Sequence, residues 1–380
     1  MTKIHIHGGD VYRNPGILDF SANCNPYGMP KGVKEAVIQA LEKAECYPDV
    51  SCDALRKALA EEEEVPEERI ICGNGAADLI FGLVLARKPK KALLPAPTFA
   101  EYEQALSSVG CEIVYVPLSE EKGFVPQENF IDRITEDIDM VFFCNPNNPT
   151  GILADRSYVE KLLQRCKRSD AFLVLDECFI DFIENSEAYT MKAYLETYTN
   201  FFLLKAFTKK YAMAGIRLGY GFCSDNQTLE NMQAVMQPWN VSVLAQEAGI
   251  AALKEKEYVK ETLSKIKAEK EWLLEKLRKL ELFCYPSKAN YIFFKGPLHL
   301  KENCLKQGIA IRDCSNYPNL EKGFYRIAVR KREENERLTE ALEYILNGKR
   351  GNSNGKGNYD TGNNVQCRKE SFGSRTLQNF

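Results

Sequence analysis

The sequence predicts an α/β fold in which a large domain, built on a mostly parallel seven-stranded sheet, is followed by a small α+β domain. Three observations predict it. From about Glu35 to Cys284, helical stretches alternate with short apolar runs bounded by Pro, Gly or Asn. Those runs, RIICG, KALLP, CEIVYV, MVFFC, FLVLD, FFLLK and LGYGF, are β-branched or aromatic and lack polar alternation, as strands covered on both faces require. Past a long, charge-laced helix around Lys254 to Leu280, the pattern changes to FCYPSKANYIFFKG, IAIRD and FYRIAVR, then ENERLTEALEYIL, which reads as a smaller unit closed by a helix.

Between the strands, segments such as YVEKLLQRCKR repeat apolar residues at helical spacing. The opening residues are too loop-rich to fold alone. The expected division is therefore an N-terminal segment, 1–30, packing on the small domain or the active site, a large domain over 31–270 and a small domain over 271–347. Residues 348–380 are rich in Gly and Asn and poor in apolar side chains, so a disordered tail is expected there.

Composition narrows the function. Fifty basic against 53 acidic side chains leave a net charge of −3, which provides no cationic field for nucleic acid. The longest apolar runs fall far short of the roughly 20 residues that a membrane span needs, and MTKIHIHGGD has no signal-peptide core. A soluble, cytoplasmic protein with no membrane partner is expected. The 13 cysteines are odd in number and keep no metal-ligand rhythm, so they read as reduced, mostly buried thiols, and no metal site is expected.

Four segments end predicted strands with polar residues, where α/β sheets bind ligands. In CGNGAADLI, Gly73, Asn74 and Gly75 turn into a helix whose free N–H groups can hold a phosphate. In CNPNNPTG, Asn145 to Gly151 form a loop too dense in amides for simple chain reversal. LVLDECF places Asp176 after apolar residues, where a carboxylate is costly unless a cation or strong donor meets it. AFTKKYAMAGIRLGY offers Lys209 or Lys210, either of which is by base rate a surface lysine, followed by Gly215 and Arg217. Together, an anion cradle, an inward amide, a strand-end carboxylate and a lysine suit a phosphorylated heteroaromatic aldehyde held as a Schiff base.

At these residues the chain resembles the fold-type I pyridoxal-phosphate enzymes, in the branch that contains histidinol-phosphate aminotransferase and threonine-phosphate decarboxylase. NPNNPTG, DECF and TKKYAMAGIRLGY stand in that family's order and spacing, and the likeness runs over residues 4–346. The resemblance implies pyridoxal 5'-phosphate as cofactor, tethered by Lys209. Asp176 pairs with its ring nitrogen, Asn148 bonds its phenolic oxygen and Phe99 stacks on its ring. Gly75, Ala76, Thr208 and Arg217 serve its phosphate. Tyr47 reaches that phosphate from a neighbouring subunit, which implies a homodimer. Where the family often has Ser, this chain has Ala206, so Thr208 or water replaces one phosphate hydrogen bond.

In such enzymes the bond broken is the one held perpendicular to the cofactor ring, so the grip on the substrate decides the reaction. The opening HGGDVYRNPGILDFSANCNPYG resembles the threonine-phosphate decarboxylases, with His7, Gly8, Gly9 and Asn25 as expected substrate contacts. Phe179 stands where the aminotransferases generally have Tyr. Arg326 and Arg330 lie four apart in YRIAVRKREENERL, a spacing that shares one face of a strand and suits a substrate with both carboxylate and phosphate. Asn290, Trp239 and Arg312 lie in segments that resemble pocket-lining stretches. The expected reaction is decarboxylation of L-threonine O-3-phosphate to (R)-1-amino-2-propanol phosphate in cobalamin biosynthesis. L-Serine O-phosphate remains open as a substrate, since one methyl group discriminates by only about 1–3 kcal/mol.

The rival within the branch is histidinol-phosphate aminotransferase; the rival outside it is a non-catalytic pyridoxal-phosphate-binding regulator, which no basic patch supports. The tail adds an independent hint. Read one base later, the codons from Gly355 are compatible with AKAIMIQGTMSNAGKSLLVAGLCRI, a string absent from this protein that looks like the start of cobyric acid synthase. An overlap or frame slip into a downstream corrinoid gene is therefore expected, and the DNA sequence tests it.

Overall fold

The structure, a computed structural model, describes residues 8–351. Its strands are β1 (Leu18–Asp19), β2 (Ile70–Gly73), β3 (Lys91–Ala96), β4 (Glu112–Pro117), β5 (Met140–Cys144), β6 (Phe172–Asp176), β7 (Phe201–Ala206) and β8 (Gly219–Phe222). Beyond these come β9 (Phe283–Cys284), β10 (Tyr291–Lys295), β11 (Ile309–Ala310), β12 (Arg312–Asp313) and β13 (Phe324–Ala328). The seven runs expected as strands are β2 to β8. They form one sheet in the order β2-β8-β7-β6-β5-β3-β4, with β8 antiparallel to both neighbours and every other pairing parallel.

Successive side chains of a strand face opposite ways, so a sheet covered twice needs apolar residues at every position. Leu173 and Leu175 of β6 join Val141, Phe143, Phe201 and Leu203 in one core. Phe172 and Val174 join Met140, Phe142, Phe202 and Leu204 in the other. Helices cover both faces; Arg156–Arg168, for example, buries Val159, Leu162, Leu163 and Cys166, the spacing of one helical stripe.

A second, antiparallel sheet has the order β12-β13-β10-β9. The helices Lys256–Lys279 and Arg332–Gly351 pack Leu273, Leu277, Leu338 and Leu342 against Ile292, Phe294 and Ile327 of this sheet. The chain's opening is tied to the same unit. β1 pairs in parallel with β11, the Ala328 N–H donates to the Phe20 carbonyl at 2.8 Å, and Phe20 is fully buried in this core. The last helix runs to Gly351, past the expected boundary at 348, because Gly-rich composition does not by itself locate a helix end. The remainder of the expected tail, and the segment from Gly355 read for its codons, lie outside the described residues. Among the described residues, the cysteines are free thiols and no helix is long and apolar enough to cross a membrane.

Beneath the sheet's lysine-bearing end lies a buried ionic cluster. Glu63 accepts from Lys205 Nζ at 3.1 Å and from the Tyr220 hydroxyl at 2.5 Å, with Lys192 Nζ 3.5 Å away. Burial alone would raise the Glu63 carboxyl; the Lys205 and Lys210 ammonium groups and the Tyr220 hydroxyl outweigh it and hold the group at about 2. An unfolded glutamate titrates near about 4.3. Since the folded value is the lower, this stabilisation is complete above about 4.3 and is lost as pH falls towards 2. Glu63→Ala leaves Lys205 buried without its main partner and is expected to destabilise the fold by about 3–5 kcal/mol, read as a lower urea midpoint at neutral pH.

Candidate active site

The carboxyl ends of the parallel strands share one sheet edge, and the polar segments begin there: β2 ends at Gly73, β3 at Ala96, β5 at Cys144, β6 at Asp176 and β7 at Ala206. Because β8 runs the other way, it starts at this edge and brings Arg217 there. A cavity of about 560 Å³ opens over the edge, walled on its far side by the N-terminal segment and by β12 and β13. Lys209, Asp176, Asn148, Phe99, Ala76, Thr208 and Arg217 all line it, as do Gly8 and Gly9.

Asp176 is buried at the end of β6. Its Oδ2 accepts from the Tyr102 hydroxyl at 2.5 Å and its Oδ1 from the Cys178 N–H at 2.9 Å. Burial raises this carboxyl above its usual range, opposed by those two donors. The two candidate lysines separate by geometry. Lys209 Nζ stands in the cavity and donates to Asn23 Oδ1 at 3.0 Å, whereas Lys210 Nζ pairs with Asp181 at 3.2 Å in the cluster beneath. The helix Ala76–Arg87 starts at the cavity wall. The Gly75 N–H turns back to the Gly73 carbonyl at 2.8 Å, so Ala76 and Ala77, rather than Gly75, bring the helix start to the lining.

Arg326 is the β13 side chain that enters the cavity. It donates through Nη1 to Asn148 Oδ1 and through Nη2 to the Ser21 carbonyl at 2.8 Å. Its expected companion does not follow. β13 ends at Ala328, so strand alternation does not carry to Arg330, which donates to Glu334 at 2.6 Å and to the Asp19 carbonyl at 3.0 Å outside the lining. Besides Arg217 at the helix start, the cavity holds a further guanidinium, that of Arg312, the register partner of Arg326 across β12 and β13, held by Asn316 at 2.9 Å and stacked over Tyr317. Asn25 does not join the lining either: its Nδ2 donates to the Lys210 carbonyl and to Thr262, and its Oδ1 accepts from the Tyr27 N–H, so it ties chain segments together. His7 lies outside the described residues.

Residues 15–342 match the family model described as aminotransferase class I and II. The chain belongs to that family. It is 39% identical to the threonine-phosphate decarboxylase of Salmonella typhimurium over 90% of this chain and 97% of that protein. It is 33% identical to the adenosylcobalamin biosynthesis bifunctional protein of Leptospira interrogans, over 90% of this chain and 41% of that one. The structure superposes on the histidinol-phosphate aminotransferase from Clostridium acetobutylicum with a TM-score of 0.81, at 29% identity, covering 87% of this chain and 99% of that one.

Sequence reasoning missed Asn23 and Tyr317, which line the cavity of this aminotransferase-family chain, and Tyr102, which is buried behind it on Asp176. Tyr102 left a signal, standing one helical turn after Phe99 in TFAEY, and its ring stacks on Phe142 with centroids 4.6 Å apart. Tyr47 stands apart from the cavity, 78% exposed and stacked on Trp239 at 4.6 Å. Asn290 donates to the Asn23 carbonyl and so supports the wall from behind.

Proposed function

We infer that the protein binds pyridoxal 5'-phosphate and decarboxylates L-threonine O-3-phosphate to (R)-1-amino-2-propanol phosphate, a step of corrinoid biosynthesis. The observation that carries this reading is the pair Arg312 and Arg326, register partners in one cavity with the Lys209 amine. Two guanidiniums suit two acid groups, and phosphothreonine has a carboxylate and a phosphate where histidinol phosphate has only the phosphate. The names of the Salmonella and Leptospira relatives support the same reaction and pathway.

The residues fit the cofactor. Asp176 is a buried carboxylate of raised proton affinity, the setting in which a cationic ring N–H is a favourable partner. Space for a phosphate at the helix start depends on absent side chains: a Cβ on Gly75 would meet Arg217 Nη2 at 2.4 Å, and one on Gly219 would meet the Ala76 nitrogen at 2.6 Å. Lys209 would tether the cofactor, Asp176 would hold its ring nitrogen, Asn148 its phenolic oxygen, Phe99 its ring face, and Ala76, Thr208 and Arg217 its phosphate. When bound, the cofactor supplies an electron-poor ring that takes up the electron pair left as carbon dioxide departs.

Arg326, braced against Asn148 and the Ser21 carbonyl, grips the substrate carboxylate and sets which Cα bond is aligned for breaking. Arg312, with the Gly8–Gly9 wall, receives the substrate phosphate. Buried Phe179 and Tyr291 exclude water beside the Lys209 amine, which delivers the proton to Cα once carbon dioxide has left. Ile38, Leu41, Tyr47, Val50 and Trp239 are exposed apolar groups; a second copy covering them makes a homodimer and brings Tyr47 of the partner subunit to the cofactor phosphate.

Gly75→Ala is expected to weaken cofactor binding at least about tenfold, since its φ of +84° and the Arg217 contact both disfavour a side chain; titration of the cofactor absorbance checks it. The reading itself is tested by separate incubation with phosphothreonine, phosphoserine and histidinol phosphate plus 2-oxoglutarate. Phosphoamine formation with the first supports it, and turnover of the third alone overturns it.

A further inference from the structure

Arg312 stands on β12, a two-residue strand at the edge of the four-stranded sheet, so pairing on one side fixes its main chain and leaves the guanidinium to be placed by something else. The segment that follows does this. Arg312 Nη1 donates to the Asp313 carbonyl and Nη2 to Asn316 Oδ1, both at 2.9 Å, and the guanidinium lies over the Tyr317 ring, 5.2 Å from its centroid. The fork keeps further N–H groups for an anion in the cavity that it lines.

The segment is itself held by the seven-stranded sheet. Cys314, Tyr317 and Leu320 are buried with Phe293 and Phe324 of the four-stranded sheet and with Leu118, Phe124 and Ile152 from the connections that follow β4 and β5. Asn319 adds a polar tie. Its Nδ2 donates to the Ala96 carbonyl at 3.0 Å and to the Leu118 carbonyl at 2.9 Å, joining the ends of β3 and β4. Its φ of +65° is a left-handed conformation that asparagine tolerates better than most residues, so the amide reaches both carbonyls at small cost.

We propose that residues 313–320 form a strap that sets the Arg312 guanidinium for the substrate phosphate, with Asn316 its contact on the guanidinium and Asn319 its anchor on the seven-stranded sheet. This deepens the phosphate half of the reading above and rests on it. Asn319 lies outside the cavity lining and is a positioning residue that acts through Arg312. An arginine held in advance loses less side-chain freedom when it grips an anion, so the strap strengthens phosphate binding without touching the bond that breaks. Its effect therefore falls on KM rather than kcat.

The test is a double-mutant cycle between Asn319 and Arg312 in cofactor-loaded protein. Asn319→Gly keeps the left-handed backbone and removes only the amide. The expected result is a rise of about fivefold in KM for phosphothreonine with kcat within about twofold of wild type, and cofactor affinity unchanged. In an Arg312→Met background the same change leaves KM within about 1.5-fold, because the group that the strap places is gone. Equal rises in both backgrounds mark a merely structural Asn319 and overturn the proposal, as does no rise in either. The same proteins are titrated with inorganic phosphate by calorimetry, which needs no turnover. Affinity lost with the same coupling supports the strap even where wild type fails to decarboxylate phosphothreonine, an outcome that refutes the reaction alone; uncoupled losses of phosphate affinity overturn the strap.

Discussion

Replacing Lys209 with alanine is expected to abolish the yellow cofactor band and to lower decarboxylation by at least about 10³-fold, while the same change at Lys210 leaves the colour and costs stability. Adjacent in sequence on the short helix Phe207–Lys210 that follows β7, the two side chains reach different surroundings. Lys209 Nζ stands in the cavity against Asn23, and Lys210 Nζ is buried with Asp181 beneath the sheet edge. The first change removes the proposed tether and the proposed proton carrier together. The second leaves Asp181 without its 3.2 Å partner, a defect visible in urea denaturation rather than in the absorbance of folded protein. Absorbance spectra and initial rates of the two variants, read side by side, check both halves.

The arginines give the second large effect. Arg326→Met removes a buried guanidinium that bonds Asn148 and the Ser21 carbonyl. Loss of a buried, hydrogen-bonded charge contact costs about 2–5 kcal/mol, so kcat/KM for phosphothreonine is expected to fall by about 30-fold to several thousandfold. Arg312→Met is expected to fall in the same range and to act mainly through KM, since the phosphate proposed for it is remote from the bond that breaks. Arg330→Met stays within a few-fold of wild type, because its guanidinium serves Glu334 and the Asp19 carbonyl. Steady-state kinetics of the three variants separate a cavity built on Arg312 and Arg326 from one built on Arg326 and Arg330.

The contrast between those pairs shows what a linear sequence carries. The strands were legible because burial on both faces leaves runs such as MVFFC and FLVLD with no polar position, a pattern set by local geometry. Asp176, Asn148 and Lys209 were legible because each follows such a run at the edge where ligands bind. Arg330 lies outside the cavity lining because β13 stops at Ala328, beyond which strand alternation does not carry. Arg312, which the cavity holds beside Arg326, meets it only through antiparallel pairing of β12 with β13, a register set by the long connection between them that leaves no periodic trace. Asn23 and Glu63 are of the same kind. One is an amide of two in SANCNP, the other a glutamate among four, and only the folded chain brings Lys209 to the first and Lys205 to the second.

The central claim is that the carboxyl carbon leaves the substrate, and an isotopic label reads this directly. Wild-type protein loaded with pyridoxal 5'-phosphate is given L-threonine O-3-phosphate labelled at the carboxyl carbon, with 2-oxoglutarate present so that transamination has an acceptor. The account predicts that the label appears as carbon dioxide in step with unlabelled 1-amino-2-propanol phosphate. Label retained in a 2-oxo acid, with glutamate accumulating alongside, would contradict it.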